Sequence, residues 1–171
     1  MKRIIVVGSG GAGKSTLSVQ LGEILGLPVI HLDKLYWQPN WVEPEKGEFR
    51  QMVARLAKEN DEWIIDGNYS STIDMRAFAA DTIIFLDFPR RLCLWRWACR
   101  VIKNRGTVRP DMGEGCPEHW NYEMFNWLWN FPKRGRQELL SFLDSLDDSK
   151  TILRFRSPRQ LQKFLDELAQ Q

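Results

Sequence analysis

The chain has 171 residues, of which 43% are apolar and 27% charged; that is enough for one domain with a full core, too little for two, and it excludes a disordered or fibrous chain. Its 24 lysines and arginines stand against 22 aspartates and glutamates, a formal charge of +2, which is too balanced to indicate a nucleic-acid binder and argues against tight direct DNA binding. No apolar stretch approaches the roughly 20 residues that span a bilayer, and three cysteines without framework spacing (Cys93, Cys99, Cys116) fit a reduced, cytoplasmic setting.

Ile4 to Val7 is a short β-branched run bounded by glycine, the pattern of a buried parallel strand. Leu17, Val19, Leu21, Ile24 and Leu25 then recur at mostly helical spacing until Gly26 and Pro28 stop the helix. Val29 to Leu32 reads as a second strand. Pro39 and Pro44 bracket a loop, and Glu45 to Asn60 reads as a helix with Phe49, Val53, Leu56 and Ala57 on one face. Trp63 to Ile65 and Thr82 to Phe88 are the third and fourth strands, and Leu92 to Lys103 is a helix. Thr151 to Phe155 is the fifth strand, and Pro158 opens a last helix through Leu168 that buries Phe164, Leu165 and Leu168. Strands alternating with helices imply a parallel sheet with right-handed crossovers. The stretch from about Arg105 to Arg136 breaks that rhythm with glycines, prolines and three tryptophans, and reads as a lid insertion over the strand ends within a single domain.

Gly8-Ser9-Gly10-Gly11-Ala12-Gly13-Lys14-Ser15 matches G-x-x-x-x-G-K-[ST]. Glycines let consecutive N–H groups face inward as an anion nest, and the following helix adds its positive end. Lys14 has the reach for the β- and γ-phosphates, Ser15 is a Mg²⁺ ligand, and Thr16 supports the loop or touches the α-phosphate. The pattern implies a nucleoside triphosphate with Mg²⁺ and leaves the acceptor open.

In an open parallel sheet, ligands sit beyond the carboxyl ends of the strands. Asp33 and Asp66 fall there. Asp33 is assigned to accept a hydroxyl proton and Asp66 to hold the waters of Mg²⁺, although position alone allows the roles to be exchanged. Asp87 also ends a strand and reads as structural. Arg96 and Arg100 share a helix face, and Arg105, Arg109, Arg134 and Arg136 flank or lie in the insertion, placed to spread charge over a transferring phosphoryl group. A closing lid would also exclude water. Cys116 and His119 lack the further pair that zinc needs, and His31 reads as a packed strand residue. Trp63 and Trp95 read as core. Trp37, Trp127 and Trp129 are candidates for a substrate wall.

Taken together, the loop Gly8 to Ser15, the strand-end Asp66-Gly67 and the segment from Asp87 to Arg100 resemble the adenylate-kinase-like P-loop kinases, and among them the bacterial "topology modulation protein" group. The resemblance implies a three-layer α/β P-loop NTPase fold with a five-stranded parallel sheet of order 2-3-1-4-5. It implies ATP and Mg²⁺ as cofactors, Arg96 at the adenine and Arg100 at the phosphates. It also implies Arg134 and Arg136 as catalytic arginines returned by the lid, and Arg156-Ser157-Pro158 bordering the adenine through backbone. Asn68, Tyr69 and Ser70 stand where nucleoside monophosphate kinases carry an aromatic, a proline and an arginine, with Arg76 a possible substitute at a different spacing. The segment Asp33-Lys34-Leu35-Tyr36-Trp37 is closer to nucleoside and small-metabolite kinases. The expected reaction is therefore γ-phosphoryl transfer from ATP to a small hydroxyl-bearing acceptor lying between Asp33, Tyr36, Trp37, Asp66, Tyr69 and Arg76. The alternatives are a nucleotide kinase, and an ATP-binding regulatory protein affecting DNA topology without phosphorylating an acceptor.

Overall fold

The computed structural model describes residues 1–170 and contains one five-stranded sheet, all parallel, in the order β2-β3-β1-β4-β5. The strands are β1 (Arg3–Gly8), β2 (Val29–His31), β3 (Trp63–Asp66), β4 (Thr82–Leu86) and β5 (Thr151–Phe155). Strands β1, β3 and β4 are apolar throughout their centres because both of their faces are covered. Alternation along each strand sends residues to opposite faces. Ile5, Val7, Ile65, Ile83 and Phe85 point one way, onto α3 (Lys46–Glu59), α4 (Ser70–Ala79) and α7 (Gly135–Asp144). Ile4, Val6, Ile64, Ile84 and Leu86 point the other way, onto α1 (Lys14–Leu25) and α8 (Pro158–Leu168).

Helix ends follow local chemistry. Gly26 ends α1 in the left-handed region at φ 69°. Ser157 caps α8 by accepting from the Gln160 N–H, with Pro158 in its first turn. Asn121 does the same for α6 (Tyr122–Asn130), accepting from the Met124 N–H.

Several elements differ from the expectation. β2 stops at His31, and Leu32 already begins a short helix, α2 (Leu32–Tyr36). β4 stops at Leu86 because Asp87 and Phe88 turn toward Pro89, which opens α5 (Arg90–Lys103). The expected insertion is a loop over 104–121 followed by α6 and a 3₁₀ turn, Phe131–Lys133. Trp95 is not core: it is 69% exposed, whereas Trp97 is buried and forms a small third cluster with Val101 and Leu128. That cluster is the main contact holding α6 to α5. Among the described residues no helix is long and apolar enough to cross a membrane, and Cys93, Cys99 and Cys116 are free thiols.

Trp97→Ala removes the largest side chain of the α5–α6 contact and should lower stability by about 3–5 kcal/mol, read from the urea midpoint.

Candidate active site

The glycine loop leaves β1 at Gly8 and enters α1 at Lys14. Gly11 and Gly13 hold φ of 70° and 96°, values that favour glycine strongly. A Cβ on Gly11 would stand 2.2 Å from the Cys93 carbonyl, so α5 lies directly on the loop. Gly10 is equally close to α6: a Cβ there would lie 2.9 Å from Leu128 Cδ2 and Met124 Cε. Lys14 Nζ donates to the Ser9 carbonyl at 3.2 Å and forms no ion pair among the described residues. Burial lowers its pKa; the Asp33 and Asp66 carboxylates push back, and Arg100 adds to the lowering. A part-buried ammonium without a paired anion among the described residues, beside a loop whose turns rest on left-handed glycines, fits a triphosphate. Ser15, at the start of α1, has the hydroxyl that such a loop offers to Mg²⁺.

Two carboxylates approach this lysine from the ends of β2 and β3. Asp66 is buried, and His31 Nδ1 lies 3.0 Å from its Oδ2. The β2–β3 register makes His31 and Asp66 direct partners, so both side chains emerge at one level. The hydrogen bond to Asp66 raises the His31 pKa above its usual 6.5. This corrects the reading of His31 as simple strand packing, because its ring belongs to the acid cluster. Asp33 sits in the first turn of α2, and its Oδ1 accepts from the Tyr69 hydroxyl at 2.7 Å. Burial, reinforced by Asp33, pushes the Tyr69 phenol far up, so it remains a donor. Tyr36 packs between Trp37, Phe49 and Tyr69, with ring centroids 4.6–5.0 Å apart.

The loop 104–121 lies across these groups. The Cys116 thiol donates to the Gln38 carbonyl at 3.1 Å, and the Asn40 N–H donates to the Gly115 carbonyl at 3.1 Å. A Cβ on Gly113 would stand 1.9 Å from the Trp37 carbonyl. Buried Glu118 faces two arginines, Arg100 Nε at 3.2 Å and Arg109 Nε at 2.8 Å. Arg109 also pairs with Asp111 at 2.8 Å. Burial pushes the Asp111 acid up, but Arg109 and the nearby Ser15 hydroxyl outweigh that and hold it low. Asp111 therefore reaches the glycine loop from the insertion. Neither Asp111 nor Glu118 was among the expected site residues; each is a single acid in an irregular segment, and only the folded chain brings it to its arginines.

The remaining expected arginines part company. Arg96 borders the loop, donating to the Ala12 carbonyl at 3.3 Å. Arg100 reaches the cleft, where burial lowers its pKa. Arg76 does not face an acceptor. It is fully buried and donates to Thr72 Oγ1, the Gly67 carbonyl and the Tyr69 carbonyl; burial takes it down to about 10. It fastens the turn that positions Asp66 and Tyr69. Arg136 is bound to Asp87, with Nε 2.7 Å from Oδ1, and Arg154 joins the same carboxylate. Asp87 is thus an arginine clamp and not merely a helix-start neighbour. Arg134 and Arg156 are exposed, and the side chain of neither has a hydrogen bond or ion pair among the described residues. Among the tryptophans, Trp127 closes on Gly10, while Trp129 carries the Arg90 guanidinium 4.0 Å above its ring. His119 stands edge-on to Trp41, and no group of three or more metal-ligating side chains occurs among the described residues.

No family model matches the chain, and no curated protein matches its sequence. Solved structures do resemble it. Shikimate kinase from Bacteroides thetaiotaomicron superposes with a TM-score of 0.57 at 17% identity, covering 99% of this chain and 96% of that one. Shikimate kinase from Acinetobacter baumannii, solved in complex with shikimate, superposes with a TM-score of 0.56 at 17% identity, covering 99% and 94%. At this identity the likeness is one of fold, and it establishes the P-loop NTPase architecture over the whole chain.

Two outcomes follow from the acid cluster. In metal-free protein the His31 imidazole should titrate above 6.5 by NMR. Because the folded pKa is raised, the stabilisation from the His31–Asp66 pair is fully present below 6.5 and is lost as pH rises through the folded value. Replacing Arg76 with leucine strands the Gly67 and Tyr69 carbonyls and should cost about 3 kcal/mol in urea unfolding.

Proposed function

We propose that the chain is an ATP- and Mg²⁺-dependent phosphotransferase that moves the γ-phosphoryl group of ATP to a hydroxyl of a small acceptor. The observation that carries this reading is the placement of Asp66 at the end of β3 and Asp33 in the first turn after β2, both close to a part-buried Lys14 that has no ion pair among the described residues. The triphosphate lies in the cradle from Gly8 to Thr16, with Lys14 on its outer phosphates. Arg96 borders the nucleotide on one side, and the backbone at Arg156–Pro158 borders the base on the other. Ser15 and Asp66 would hold Mg²⁺, and the chemistry it would supply there is neutralisation of charge on the transferring phosphates. Asp33 accepts the proton of the acceptor hydroxyl as its oxygen attacks phosphorus and the bond to the β-bridging oxygen breaks. Tyr69 occupies one oxygen of Asp33 and so turns the other toward the cleft. Arg100 spreads the developing charge, and the loop 104–121 acts as the lid that excludes water.

The acceptor is bounded by Asp33, Tyr36, Trp37 and Tyr69. With Arg76 committed to backbone carbonyls, no free cation from α4 enters this pocket, and a hydroxylated metabolite or nucleoside suits it better than a nucleoside monophosphate. The fold likeness to shikimate kinases agrees with a small hydroxylated acceptor, and the motif likeness to the topology modulation group names none. One observation favours a second reading, an ATP-driven binding module: α5 and α6 expose Trp95, Ile102 and Tyr122, and the loop before α6 exposes Trp120, a surface suited to a partner.

The test is ADP formation with ATP, Mg²⁺ and a panel of nucleosides, nucleotides and hydroxylated metabolites. One acceptor should raise turnover above the water background. Asp33→Asn should lower kcat with that acceptor by roughly 10²–10⁴-fold, and Lys14→Ala should remove most turnover while the chain stays folded by circular dichroism. A panel with no stimulating acceptor favours the binding module, and full turnover in Lys14→Ala contradicts the cradle.

A further inference from the structure

A second basic cavity lies on the other side of the glycine loop. It is about 440 Å³ and opens between the ends of β4 and β5 and the α6–α7 hairpin. Four arginines line it: Arg90, Arg136, Arg154 and Arg156. Only one carboxylate, Asp87, faces them. Asp87 accepts from Arg136 Nε at 2.7 Å and from Arg154 Nε at 2.9 Å, and burial, which pushes this acid up, is outweighed by the two guanidinium groups. Arg90 is turned onto Trp129, donating to its carbonyl at 3.1 Å. The Arg156 side chain has no protein partner among the described residues, and the wall therefore carries an excess of positive charge. The rest of the wall is apolar: Phe88, Pro89, Leu128, Phe131 and Pro132.

This space is distinct from the acceptor cleft. None of Lys14, Asp33, Asp66 and Arg96 lines it. Leu128 forms part of the cavity wall and also rests on Gly10 of the glycine loop. The edges it shares with the proposed nucleotide site are Ser9, whose carbonyl holds Lys14, and Arg156, whose backbone there borders the base.

We propose that this cavity is a binding site for a small organic anion, a carboxylate or phosphate monoester with an apolar body, whose charged head meets Arg154 and Arg156 and whose apolar face lies against Phe88, Leu128 and Phe131. An anion here neutralises the arginine excess. A flat or ring-shaped body fills a wall that water wets poorly. Contact with Ser9 makes the site a neighbour of the Lys14 carbonyl partner, so a ligand bound here touches the phosphate cradle without entering it.

Isothermal titration of the full chain with phenyl phosphate tests this. Saturable binding at one site per chain is expected. Arg156→Ala, a change at an exposed side chain without partners, should weaken it about tenfold, the loss of one charge-assisted hydrogen bond. Arg154→Ala should do the same, with Asp87 still neutralised by Arg136. Lys14→Ala should leave the affinity within about twofold. Inorganic phosphate should bind at least about tenfold more weakly than phenyl phosphate, because it forgoes the apolar wall. Phenylacetate in the same titrations distinguishes the two head groups, and arginine-dependent binding of either probe sustains the proposal. Absence of saturable binding by both probes, binding lost in Lys14→Ala, or affinity unchanged in both arginine variants would overturn it.

Discussion

A part-buried ammonium group that meets no carboxylate among the described residues is the constraint around which the rest of this molecule is arranged. Lys14 is bonded only to the carbonyl of Ser9, within its own loop. Asp33 and Asp66 act on it from beyond hydrogen-bond contact, and Arg100 opposes them. Such a charge is tolerable in a folded chain when the missing counter-charge arrives with a ligand. The parallel sheet makes the arrangement possible. Every strand delivers its carboxyl end to one edge, and β1 lies between β3 and β4. The lysine therefore has an acid-bearing strand end on one side and the arginine-bearing α5 on the other.

The arginines show how the same chemistry is sorted into structure and site. Arg76 is surrounded by carbonyl oxygens with nothing left to offer a ligand. Arg136 and Arg154 share one carboxylate, Asp87. Arg100 and Arg109 share another, Glu118, which comes from the loop and not from the sheet. At Asp87 a carboxylate between two guanidinium groups leaves one net positive charge, whereas Asp111 on Arg109 brings the Glu118 cluster to balance.

The strands and the glycine loop were legible because they depend on local signals, β-branched runs and a glycine pattern whose backbone angles few other residues accept, while the sheet order came from the resemblance to P-loop kinases. Other features were not. Helix α4 carries a weak apolar pattern and starts within Asn68, Tyr69 and Ser70, a stretch easily read as part of an acceptor motif. The His31–Asp66 pair depends on strand register, which two short runs 35 residues apart do not reveal. Asp33 and Asp66 were recognisable as strand-end acids, yet their partners Tyr69 and His31 distinguish them. Tyr69 leaves one Asp33 oxygen available, whereas Asp66 is buried against an imidazole. Arg76 and Arg136 were placed by comparison with kinase motifs, and position along the chain cannot tell a guanidinium that faces solvent-filled space from one already enclosed by carbonyls or a carboxylate.

Trp37 sits where the acceptor pocket and the overlying loop meet, and its contacts bear on how a substrate enters. Its ring packs edge-on to Tyr36 and Trp41, with centroids 5.0 and 5.3 Å away. Its carbonyl faces Gly113 so closely that no side chain fits between them. The loop is otherwise latched to this segment by one thiol hydrogen bond and one backbone hydrogen bond. A neutral hydrogen bond contributes about 1 kcal/mol net, and a thiol donor less, so this side of the latch is weak. The Arg100–Glu118 pair on the other side is better buried and harder to break. Displacement of the loop should therefore begin at Trp37, exposing Asp33 and Tyr69 while Arg100 stays beside the glycine loop. For the proposed transfer, that geometry would let an acceptor enter without removing the Arg100 cation.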